Sequence, residues 1–154
     1  MKIAIWIVAA VAIACALPAQ AATSDPLNVI YAVTGVFNNP QTSTLVHCAN
    51  SNSVPENFQV LIRDSLGGIP AVNPNNTVTV AGGGMVTFGT QPVTSFVTTR
   101  SVFTTATTFQ GTIAILSTTR FAYCTAMIVG VGSSLPDGIA LHLIRFNPWP
   151  GADE

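Results

Sequence analysis

Thr77-Val78-Thr79-Val80-Ala81-Gly82-Gly83-Gly84-Met85-Val86-Thr87-Phe88-Gly89-Thr90 is the stretch on which the fold turns. Val78 and Val80 alternate with Thr77 and Thr79, the two-residue period of a strand with one buried face. The three glycines predict a hairpin turn, and Met85 to Thr90 the returning strand. The same grammar runs outward in both directions. Leu27 to Phe37 is a strand candidate closed by Asn38-Asn39-Pro40, and Ser43 to Asn50 is one closed by Ser51-Asn52-Ser53. Asn57 to Asp64 sets Phe58, Val60 and Ile62 against Gln59 and Arg63, with Leu61 blurring the alternation. Ser65-Leu66-Gly67-Gly68 then turns the chain.

Downstream, Val93 to Thr105, Thr112 to Thr118, Phe121 to Val129 and Ile139 to Phe146 continue the series. The Thr-rich stretch from Thr94 to Thr108 carries Phe96, Val97, Val102 and Phe103, which a linker would not need, so it reads as one or two exposed strands. No helical period of comparable length interrupts the strands. Short strands at roughly 8 to 12 residue spacing, separated by Gly, Pro and Asn, predict a single all-β domain over 22–154, an antiparallel sandwich of about seven to nine strands.

The leader is of another kind. Lys2 precedes an apolar run from Ile3 to Leu17, Pro18 ends it, and Ala19-Gln20-Ala21 has the small-x-small form of a secretory cleavage site. The expectation is a signal-peptide helix over 1–21 and export to the periplasm or beyond. Cys15 sits in the region of a lipoprotein cysteine, but Ala12 stands where such sites carry Leu, so Cys15 reads as an apolar filler. No later stretch offers about 18 uninterrupted apolar residues, which predicts no membrane span after cleavage.

Charge is sparse. Removing Lys2 with the leader takes the formal net charge from −1 to −2, with Arg63, Arg100, Arg120 and Arg145 the remaining cations. Without a basic patch, counterion release gives no hold on nucleic acid. A surface kept soluble by Thr, Ser and Asn associates more readily than a charged one, which points to self-association, another surface protein or a glycan as partner.

Cys48 and Cys124 are the two cysteines after the leader, both inside strand candidates. Alternation puts Cys48 on the face of Val46 and Cys124 on that of Ala122 and Ala126, so both thiols point inward. In an oxidising compartment a structural disulfide is expected. His47 and His142 fall on the opposite faces, and no cluster of further ligands completes a metal site around either. No nucleophile elbow or activated nucleophile is visible. Glu56, Asp64 and Asp137 lie beside turn signals, where carboxylates cap and solvate. The chain therefore reads as non-catalytic, with no cofactor. The last segment, Arg145-Phe146-Asn147-Pro148-Trp149-Pro150-Gly151, is stiff and extended. Phe146 and Trp149 either cover an edge of the core or form an aromatic docking tail.

Taken together, Cys48 with Asn50, the Asp64–Gly67 turn, the Gly-rich segment leading to Val86-Thr87-Phe88-Gly89-Thr90, Cys124-Thr125-Ala126 and the terminal Arg145-Phe146-Asn147-Pro148 with Pro150-Gly151 resemble a group of secreted bacterial β-sandwich proteins. The resemblance implies fold and location, and no activity. Cysteines on an early and a late strand are also similar to the inter-sheet bridge of immunoglobulin-like domains. Two departures from that pattern are visible: no Trp lies between the cysteines, and Ala122 stands where a tyrosine corner would place Tyr.

The functional expectation is an exported, non-catalytic structural or binding module of the periplasm or cell surface. Two alternatives stand beside it. One is a pilin-like subunit polymerising by strand exchange. The other is a small carbohydrate-binding domain, which needs exposed aromatics beside Asn and Asp on one face.

Overall fold

A computed structural model of the chain describes residues 25–68, 76–102, 107–132 and 138–146. The leader 1–21, Cys15, Asp137 and Trp149 lie outside the described residues. Ten strands follow in order: β1 Asn28–Asn39, β2 Thr42–Asn50, β3 Glu56–Arg63, β4 Val78–Val80, β5 Met85–Gly89, β6 Arg100–Ser101, β7 Thr108–Ser117, β8 Ala122–Gly130, β9 Gly138–Leu141 and β10 Leu143–Arg145. The protein is all-β, as the alternation predicts, and the described residues contain no helix.

Two layers emerge from the pairing. One runs β4-β3-β7-β1-β10 and the other β6-β5-β2-β8-β9. They are one sheet folded on itself, because β1 and β2 also pair at Asn38–Ser43 and Asn39–Thr42. β1 thus continues through the two asparagines that the sequence marks as its end. Asn38 has cross-strand partners on both edges, Ser43 and Thr108, which hold it extended. At the opposite side the chain passes from β9, on the edge of the second layer, through His142 to β10, on the edge of the first. The predicted strand from Ile139 to Phe146 is therefore one extended segment serving both layers.

Alternation sorts the side chains. Phe58, Val60, Ile62, Val33, Ile113 and Ile115 from one layer meet Val46, Cys48, Val86, Phe88, Ala122 and Ala126 from the other, all buried. Each large apolar side chain taken fully out of water contributes about 1.5–3 kcal/mol. Leu61, the residue that blurs the pattern, faces outward.

Gly82-Gly83-Gly84 does turn the chain, but β4 and β5 do not pair with each other. β4 lies against β3 and β5 against β2. The backbone of Asn50 intervenes: Gly83 N–H donates to its carbonyl at 3.0 Å, and its own N–H donates to the Gly84 carbonyl at 2.9 Å. Its side-chain amide donates to the carbonyls of Val54, Val80 and Ala81 at 2.8–3.2 Å. Asn50 thereby diverts the returning strand into the other layer.

The Thr-rich stretch also departs from the expectation. Among its described residues Arg100–Ser101 forms a short strand paired in parallel with β5, Thr108 opens β7, and Val93 bridges Phe96. Val93 and Phe96 instead cover the outer face of the second layer, closing a small second core with Leu45, Met127 and Val129.

Candidate functional site

Cys48 and Cys124 are disulfide-bonded and point inward. They are direct partners in the β2–β8 ladder, with Cα atoms 4.2 Å apart. That separation belongs to the closely spaced, non-hydrogen-bonded pair of an antiparallel ladder. The bridge thus lies within one layer, where the resemblance to immunoglobulin-like domains would place it between two. Two residues further, at Asn50 and Ala122, both strands end. The adjoining loops are pinned together there, Ser51 N–H donating to the Phe121 carbonyl at 2.8 Å.

At this end of the molecule the β2–β3 loop, the β7–β8 turn and the residues entering β1 come together. Glu56 opens β3 and shares the inward face of Phe58, Val60 and Ile62, so its carboxylate is driven into the core edge, 1% exposed. The expectation that it caps a turn in solvent is overturned; the strand's alternation outweighs the local turn signal. Burial demands partners. The Asn52 amide donates to Oε1 at 2.7 Å and the Thr118 hydroxyl donates to Oε2. Thr118 Oγ1 in turn accepts the Asn57 N–H at 2.9 Å. The carboxylate clamps the β2–β3 loop to the β7–β8 turn. Asp64, by contrast, does cap its turn, accepting from the N–H groups of Leu66 and Gly68 at 2.9 and 2.8 Å.

Over this clamp opens a cleft of about 190 Å³ lined by Asp25, Asn52, Glu56, Thr118, Arg120 and Phe121. Thr119 also lines it, its Oγ1 accepting the Phe121 N–H at 3.0 Å. The Arg120 guanidinium lies 5.0 Å from the centroid of that ring, a cation–π distance. Arg145 packs alongside, its Nη2 donating to the Arg120 carbonyl at 3.2 Å and its guanidinium 5.9 Å from the Tyr31 centroid. Tyr31 is held from below by donating its hydroxyl to the Ala122 carbonyl at 3.1 Å. Two of the four arginines after the leader meet here on aromatic rings. Phe121 itself is 52% exposed; Tyr123, two residues on in β8, is 66% exposed, and Phe146, next after Arg145, 46%.

Of the residues singled out from sequence, Phe146 follows Arg145 at the end of β10, its N–H donating to the Ile30 carbonyl at 2.9 Å. Its companion in the tail, Trp149, lies outside the described residues. His47 is elsewhere, on the outer face of the second layer between Thr87 and Thr125. Its Nδ1 sits 2.9 Å from the Thr87 hydroxyl and its ring 5.7 Å from that of Phe96; burial lowers its pKa from the ordinary 6.5. His142 is exposed at the β9–β10 crossing. Among the described residues no group of three His, Cys, Asp or Glu side chains is placed to hold a metal ion. Sequence alone points to neither Arg120 nor Arg145 as site residues, and to Glu56 only as a cap. The alternation Glu56-Phe58-Val60 carries the signal for a buried Glu56. The arginines are brought together by the pairing of β10 with β1 and by the contact of Tyr31 with the start of β8, which no local pattern announces.

No protein-family model, curated protein or solved structure matches the chain.

Proposed function

We propose that the chain is an exported, non-catalytic binding module of the bacterial periplasm or cell surface, and that the Arg120–Phe121 end is its recognition surface for carbohydrate. The observation that carries this reading is the cleft in which the exposed Phe121 ring lies beside Asp25, Asn52 and Arg120 on a disulfide-pinned edge. Flat apolar rings beside amide, carboxylate and guanidinium groups suit a ring that is apolar on its faces and hydroxylated on its rim. The Glu56 clamp and the bridge favour a preformed site, which keeps the ordering cost of binding low. Export is supported by the form of the 1–21 leader and by the disulfide, and the resemblance to secreted bacterial β-sandwich proteins agrees with both. Kinship with immunoglobulin-like domains rests on the two-layer architecture alone, since the bridge has moved into one layer.

A second reading, a self-assembling surface subunit, draws on a different face. Leu61, Ala114, Ala32 and Ile144 are successive cross-strand neighbours on the outside of the first layer, giving an apolar row across four strands.

The test is a saccharide array probed with the oxidised protein and its Phe121→Ala variant, with native mass spectrometry alongside. The expected result is a discrete set of bound glycans, lost in the variant, from a protein that is monomeric and bridged. A ladder of non-covalent oligomers with no glycan bound would sink the carbohydrate reading and favour the second.

A further inference from the structure

We infer that the unit recognised in this cleft carries a ring carboxylate: a uronic or similar acidic sugar at the end of a glycan. The inference rests on the carbohydrate reading above and adds the class of sugar. Size comes first. At about 190 Å³ the cleft is smaller than the roughly 300–1,000 Å³ pockets that enclose a drug-sized ligand. It accommodates one terminal unit, with the rest of the chain in solvent.

The chemistry then selects among units. Arg120 lines the cleft with its guanidinium over the Phe121 ring, and its backbone carbonyl is held from outside the cleft by Arg145 Nη2 at 3.2 Å. Stacking uses the flat face of a guanidinium and leaves its edge, with the forked N–H donors, open to a planar carboxylate. Glu56 does not compete for these forks, since both its oxygens are occupied by Asn52 and Thr118 and it is 1% exposed. Asp25 lines the cleft from the exposed strand entry, where its carboxylate suits hydroxyl donors of the same ring. The exposed Phe121 ring supplies the apolar platform. A neutral hexose would use Asp25, Asn52 and Phe121 and leave the Arg120 edge idle.

The experiment compares methyl galacturonide with methyl galactoside, two rings that differ only in a carboxylate against a hydroxymethyl group, by NMR titration of the oxidised full-length protein. The expected result is about tenfold tighter binding of the acid at low salt, the worth of one charge-assisted contact at an exposed site. That preference shrinks as salt screens it. Arg120→Gln should abolish the preference while leaving the weak neutral binding, and Arg63→Gln, at the other end of β3, should leave both unchanged. Each variant is checked for its bridge by mass and for its fold by thermal unfolding. Equal binding of the two sugars, or a preference that survives Arg120→Gln, overturns the inference and leaves the carbohydrate reading standing. Acetate competing as well as the methyl galacturonide would reduce the site to a bare anion site and overturn the inference too. Binding of neither sugar, together with an empty array, removes both.

Discussion

Replacing both cysteines, Cys48→Ala with Cys124→Ala, should lower stability by about 4 kcal/mol, the chain-entropy value for a cross-link spanning 76 residues. The structure says where that free energy resides. β2 and β8 pair along their whole length, from Thr42–Gly130 to Asn50–Ala122, so the native ladder does not depend on the bridge to keep its register. The bond acts chiefly on the unfolded chain, which it forbids to separate two distant strands. With a urea slope of about 2 kcal/mol per molar for a domain of this size, the midpoint should fall by about 2 M. The slope itself should rise, because the uncrosslinked chain exposes more surface when unfolded. Cys48 is fully buried, so truncation to Ala also loses packing. Measuring the wild type in reductant separates the two effects: the sulfur atoms stay and only the bond goes. Urea unfolding followed by intrinsic fluorescence is the assay. A shift below about 0.5 M for the reduced wild type, with an unchanged slope, would refute the argument.

Three further outcomes are expected. Asn50→Ala strips the amide that serves three backbone carbonyls between the layers and should cost about 2–3 kcal/mol in chemical denaturation. Of the turn glycines, Gly82→Ala should be the worse, because an added Cβ would collide with the Ser53 carbonyl. Gly83→Ala, with open space around it but φ at +73°, should cost only about 1 kcal/mol of backbone strain. Differential scanning fluorimetry ranks the two. Finally, burial depresses the pKa of His47 below 6.5, so as pH falls the unfolded chain takes up the proton first. The His47 contribution is therefore intact above pH 6.5 and lost as the pH drops through the lowered folded value. His47→Gln should flatten that part of the stability profile, and an unchanged profile would remove His47 as its source.

The period of two is local, and what it governs was legible in the sequence. β2, β3, β7 and β8 fall where alternation puts them, and both cysteines face the core for the same reason. What was not legible is partnership. Nothing in Gly82-Gly83-Gly84 reports that Asn50, more than thirty positions earlier, captures the turn and sends β5 to the opposite layer. The Thr-rich stretch is full of strand-forming residues, yet Val93 and Phe96 at its start pack over Leu45 on the outer face without joining a ladder, a choice settled by tertiary cover. The site shows both limits. Glu56 is inward by alternation once the local turn preference is set aside, whereas Arg120 and Arg145 meet only because β10 lies beside β1 and β8 begins beneath Tyr31.

The passage from β9 to β10 through His142 has a consequence for the order of events in the life of the chain. A single short segment, the last pair of strands described, supplies the outermost strand of each layer. Until that segment emerges from whatever machine is delivering it, both layers lack the same flank, and neither can be finished ahead of the other. Until then the β1 edge of one layer and the β8 edge of the other both stand unpaired, the kind of open edge to which a strand of another chain can add.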